Sequence, residues 1–126
     1  MKKLNTLKKN YEFKKVLNHG NYYYGKYLQF FIIKNNQDKN RIGIAVSSKI
    51  ASAVERNRVK RLIRENYRIQ VKEKILKGYD FVFVWNKNRN IKDANYKNIK
   101  EDFENIFKRT GILIDEKNIN KNDIDI

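Results

Sequence analysis

The chain has 126 residues, 40% of them hydrophobic and 34% charged, and a formal net charge of +15. That length suits one domain with a real core, and the charge points to a polyanionic partner, either nucleic acid or an anionic membrane. With no cysteine and one histidine, the sequence excludes disulfides, thiolate chemistry and Cys- or His-rich metal sites.

In chain order, Lys2, Lys3, Lys8 and Lys9 form a basic arm, expected to be mobile at its tip. Phe13, Val16 and Leu17 follow at i, i+3, i+4, the spacing of a short helix that opens at Asn10 as N-cap and stops near Gly20. His19, in a polar turn, reads as an exposed loop residue. Residues 22–34 are extended, with room for a further strand, and the YLQFFII stretch is apolar on both faces. Asn35–Asn40 is a polar turn. From Arg41 to Ser47, bulky Ile42, Ile44 and Val46 alternate with small Gly43, Ala45 and Ser47. This predicts a strand with one face under helices and a second face open to something lying across it.

Residues 53–77 carry the longest helical pattern. Val59, Leu62, Ile63 and Ile69 project onto one arc, while Arg56, Asn57, Lys60, Arg61, Arg64 and Arg68 project onto the opposite one. Gly78 ends the helix and opens the strand DFVFVW. A last helix over 93–108 has Ile99, Phe103, Ile106 and Phe107 as its core stripe. Residues 118–126 are polar and low in complexity, and are expected to be a disordered tail after a single domain over 1–117. The order α-β-β-α-β-α defines an α+β sandwich, helices on a small sheet. No apolar run approaches the ~20 residues of a membrane span, and no signal peptide is evident, so the cytoplasm is the expected compartment.

The charge is segregated. Residues 1–77 hold 20 Lys and Arg against 5 Asp and Glu, whereas residues 78–126 hold 9 of each. Codon bias explains a lysine-rich chain but not this asymmetry, nor the arginines: of 8 in the chain, five are Arg56, Arg58, Arg61, Arg64 and Arg68. Guanidinium groups suit planar, bidentate phosphate recognition. Spacing by four turns Arg56, Lys60, Arg64 and Arg68 into one ridge. A solvated helix face usually alternates sign; this one does not, and phosphate relieves the repulsion. The ridge alone does not choose between RNA and DNA, but no short helix and tight turn precede it as a DNA-reading motif would require. Tyr22, Tyr23, Tyr24, Tyr27, Phe30 and Phe31, interleaved with Lys26 and Lys34, suit stacking of unpaired bases, although each alone would serve as core. No His/Asp/Glu cluster accompanies the helix, so a catalytic centre in the protein is not expected.

The segment SSKIASAVERNRVKRLIRENYR (residues 47–68), with Arg56-Asn57-Arg58 followed by Lys60-Arg61, resembles the signature of the bacterial ribonuclease P protein subunit. LKKNYEFKKVLNHG at 7–20 resembles the family's opening, and the likeness runs from about Leu4 to Thr110. It implies an α-β sandwich with a left-handed βαβ crossover, as in the second domain of ribosomal protein S5. It also implies an endoribonuclease whose catalyst is the RNA subunit, with bound Mg2+, removing the 5′ leader of precursor tRNA. By motif match, Lys49, Arg56, Asn57, Arg58, Lys60, Arg61 and Arg64 would contact the catalytic RNA, with Arg68 continuing the ridge. Phe13, Leu17 and Phe30 would line a cleft for the single-stranded leader. No membrane or DNA partner and no protein-held metal are implied. Ser48 and Ala51 depart from the lysine and glycine usual in the family, which removes one cation beside Lys49 and one glycine's conformational freedom. A structural RNA-binding protein of the ribosomal type is the alternative reading.

Overall fold

The structure is a computed structural model, and residues 4–114 are described. The anticipated tail at 118–126, and Lys2 and Lys3 of the basic arm, lie outside them. Helix α1 spans Asn10–His19, strands β1 (Asn21–Tyr24), β2 (Leu28–Lys34) and β3 (Arg41–Ala45) follow, then α2 (Ala53–Asn66), β4 (Tyr79–Trp85) and α3 (Tyr96–Thr110). Residues 22–34 thus supply the further strand, as a hairpin. The sheet order is β1-β2-β4-β3, antiparallel except for the parallel pair β3 and β4, which α2 connects. This mixed sheet with helices is the anticipated α+β sandwich.

Strand alternation sorts the side chains between two faces. Leu28, Phe30 and Ile32 of β2 and Phe81, Phe83 and Trp85 of β4 face α2 and α3, where Ile63, Phe103 and Phe107 complete the main core. Phe31, Ile33, Val82 and Val84 point the other way, towards Leu7, Phe13 and Val16 at α1. The small side of β3 is what admits α1: a Cβ on Gly43 would lie 2.4 Å from the Phe13 ring. Gly20 serves a similar end. Its N–H closes α1 on the Val16 carbonyl at 2.8 Å, and a Cβ there would sit 2.5 Å from that oxygen.

Several local expectations need correction. The N-cap of α1 is Lys9, not Asn10, and the N3 residue is Glu12, whose Oε1 accepts from the Lys8 and Lys9 amides at 3.0 and 2.9 Å. The root of the basic arm is fixed: Ile42 donates to the Asn5 carbonyl and Leu7 donates to that of Ile42, covering the free edge of β3. His19 is the last residue of α1 rather than a loop residue. The α2 helix stops at Asn66 and passes into a π-turn, Tyr67–Val71. That wider turn changes the phase, burying Tyr67 and Val71 and leaving Ile69 51% exposed instead of in the core. The last helix starts at Tyr96, three residues late, because Asn95 caps it by accepting from the Asn98 amide at 2.9 Å.

Two polar devices fix the ends of the sheet. Buried Asp102 on α3 accepts from the Lys26, Tyr27 and Leu28 amides at 3.0, 2.7 and 2.9 Å, holding the β1–β2 turn. A Cβ on Gly25 would overlap that carboxylate at 2.5 Å. At the other end Arg41 grips Asp80 through two bonds, 2.8 and 2.7 Å, and reaches Glu12 of α1 at 2.6 Å. These amides and this guanidinium hold the Glu12 carboxyl below its ordinary value, the two backbone bonds first.

Candidate nucleic-acid interface

The α2 helix has an ordered start. Ser52 caps it, its Oγ accepting from the Glu55 amide at 3.2 Å while the Glu55 carboxylate accepts from the Ser52 amide at 2.9 Å. Those bonds lower the Glu55 pKa, so the carboxylate stays charged at the positive end of the helix. Val59 and Ile63 anchor the inner side with no exposure, and Leu62 packs partly against the core. The outer side therefore presents the cations by default.

Those cations divide by what they touch. Asn57, Arg61 and Arg64 are exposed and Lys60 is half-buried. Among the described residues, no acidic side chain pairs with any of them; Arg64 Nε only leans on the Lys60 carbonyl at 3.4 Å. Arg56 donates to the Ala51 carbonyl at 2.9 Å, bracing the loop that carries exposed Lys49. Arg58 is committed within the protein: it donates to the carbonyls of Ala94 at 2.8 Å and Ile91 at 3.4 Å, clamping α2 to the turn before α3. Arg68, on the π-turn rather than in α2, leaves the i+4 row and pairs with Glu65 at 3.5 Å. The unneutralised ridge is thus Arg56, Lys60, Arg61 and Arg64, with Arg58 on its flank and Arg68 outside it.

Beside the ridge lies a groove of about 210 Å³ whose wall includes Lys60 and Arg64 and whose apolar floor includes Leu7, Phe13, Gly43 and Ile44. Two cations therefore line the same groove as a half-buried aromatic ring. Leu17 is 40% exposed, one turn of α1 beyond Phe13. Phe30 is different. It has 0% exposure and packs edge-on to Phe83, Phe103 and Phe107 at ring-centroid distances of 4.8, 5.0 and 5.6 Å. It belongs to the core on the α3 side and offers no face to a base. Its neighbour Phe31 points to the α1 side, and Tyr22 packs against it at 5.0 Å. One residue of register separates the two assignments, because successive strand residues face opposite ways. The aromatic platform is likewise smaller than the sequence suggests: Tyr27 and Phe30 are core, leaving Tyr22, Tyr24 and Phe31 on the α1 face. Among the described residues, no three His, Asp or Glu side chains cluster as they would around a metal ion.

The family model for ribonuclease P matches residues 1–111. The ribonuclease P protein component of Clostridioides difficile is 47% identical over 108 residues, which cover 86% of this chain and 93% of that protein. The solved structure of the Staphylococcus aureus RNase P protein superposes with a TM-score of 0.74 at 30% identity, covering 87% of this chain and 98% of that one. That of Thermotoga maritima gives 0.72 at 29% identity, with 83% and 96% covered. With the family model matched over residues 1–111, a relative 47% identical across most of both chains, and a fold shared with these solved structures, the chain belongs to the bacterial ribonuclease P protein family.

Proposed function

We propose that the chain works as the protein subunit of a ribonuclease P ribonucleoprotein, binding the RNA subunit through α2 and the unpaired 5′ leader of precursor tRNA through the groove beneath α1. The observation that carries this reading is the shared wall: Lys60 and Arg64 belong both to the basic ridge and to the groove floored by Phe13. A single strand laid there meets an aromatic ring for a base and two cations for the adjoining phosphates. Arg56, Asn57 and Arg61 on the outer side of α2, with Lys49 in the loop before it, suit the backbone of a folded RNA. Phe31 takes the place assigned from sequence to Phe30, alongside Phe13 and Leu17.

In this reading the protein carries no cleavage centre. The chemistry of phosphodiester hydrolysis would come from magnesium held by the RNA subunit, and this chain's residues bind, orient and neutralise charge. Reducing repulsion between the RNA subunit and its precursor lowers the magnesium needed for assembly. Reconstitution tests it: leader removal at low magnesium should require both subunits, and Phe31→Ala should weaken binding of precursor more than of mature tRNA. Cleavage by the protein freed of RNA would refute the division of labour. Binding to ribosomal RNA as tight as to the ribonuclease P RNA would favour the structural alternative instead.

A further inference from the structure

The groove does not end at α1. On the same sheet face, Ala45 of β3, Val84 of β4, Gln29 of β2 and Tyr24 of β1 are direct neighbours across all four strands. None of the four is fully buried, so this row is an uncovered track. With strands ~4.8 Å apart, it carries the floor, apolar except at Gln29, roughly 14 Å from β3 to the outer edge. There the exposure rises: Tyr22 is 50% and Tyr24 64% exposed, with rings stacked at 6.0 Å and tilted by only 27°. Two large rings stand side by side on an edge strand with half or more of their surface in solvent, Tyr22 resting on Phe31 by one side only. The chain around them is cationic. Arg109 donates to the Tyr24 carbonyl at 2.8 Å, Lys26 follows in the turn, and the Asp102 carboxylate that holds the turn is buried and spent on three amides.

We propose that Tyr22 and Tyr24 form a second stacking platform, for unpaired bases of the RNA strand that leaves the groove and crosses the sheet towards β1. The inference rests on the leader-binding reading above and extends it by naming where a longer leader continues. Ring face, exposure and positive surroundings favour nucleic acid over a protein partner, because stacking accepts any base while the cations take the phosphates.

The test uses holoenzyme reconstituted with the RNA subunit, and precursor tRNAs with leaders of ~2 and ~10 nucleotides, one below and one within the usual size of single-strand sites. Tyr22→Thr/Tyr24→Thr keeps strand propensity and removes the rings. It should weaken binding of the long-leader precursor about tenfold and leave the short-leader precursor unchanged. Tyr22→Phe/Tyr24→Phe should bind both like wild type, and Tyr24→Thr alone should show a smaller loss of the same kind if the double variant folds poorly. Unchanged long-leader affinity, or equal losses on both substrates, would overturn the platform. So would a change in sedimentation from dimer to monomer without any effect on leader binding. Failure of the underlying reading looks different: wild-type holoenzyme would then not distinguish the two leaders at all.

Discussion

Replacing Arg61 by alanine removes one exposed guanidinium that has no acidic partner among the described residues and no part in the core. If Arg56, Lys60, Arg61 and Arg64 each neutralise a phosphate, the logarithm of affinity for the RNA subunit should fall with the logarithm of salt. The expected slope is about −2.8 to −3.6, at roughly 0.7–0.9 per contact. Arg61→Ala should lower that slope by about 0.7–0.9 and cost about 1–3 kcal/mol of binding. Arg61→Lys should keep the slope, because the charge remains, while losing part of the affinity with the planar fork. Arg58→Ala behaves otherwise. Its guanidinium already holds the Ala94 and Ile91 carbonyls, so the main loss is folding stability, about 1–2 kcal/mol for a charge-assisted bond on a part-exposed side chain. Fluorescence anisotropy of the protein with the RNA subunit, from about 50 to about 200 mM salt, reads the slopes, and urea unfolding reads the stabilities. An unchanged slope and affinity for Arg61→Ala would show that this side of α2 does not face phosphate.

Phe30→Ala should cost about 3–5 kcal/mol of stability in urea unfolding, as a cavity-forming change among Phe83, Phe103 and Phe107; a loss under 1 kcal/mol would contradict its burial. Asp102→Ala strands the buried Tyr27 and Leu28 amides, at about 1–3 kcal/mol each, so a total of about 2–6 kcal/mol is expected from the same measurement. For pH, Glu12 and Glu55 lie below the ordinary 4.5. Their stabilising contribution is complete above that value and is lost as pH falls through the folded-state value. Glu12→Gln should therefore flatten the decline in unfolding free energy below about pH 4.5; an unaltered acid limb would remove Glu12 from the explanation.

How much of this was legible depended on whether the determinant was local. The inner and outer sides of α2 follow from period alone, and Ile99, Phe103, Ile106 and Phe107 were all placed correctly for the same reason. So was the small side of β3, which receives Phe13. Ile69 and Arg68 were misplaced because the π-turn breaks the period, and no residue type announces a π-turn. Phe30 was exchanged for Phe31 because YLQFFII is apolar on both faces, which leaves its register silent about which ring meets α1. The commitments of Arg58 and Asp102 were invisible: both depend on elements far away in sequence. An aspartate in a helix with otherwise apolar neighbours at i+1, i+4 and i+5 is the one hint that Asp102 turns inward.

The Asp102 clamp gives the two ends of the chain a shared fate. Its bonds join residues 74 to 76 positions apart, so during synthesis the tyrosine-bearing hairpin emerges long before the carboxylate that fixes its turn. Until α3 docks, the amides of that turn have only water to bind, and Phe30 lacks the Phe103 and Phe107 rings that pack against it. A chain truncated before α3 should therefore retain the cationic α2 sequence while losing the ordered turn at the sheet edge.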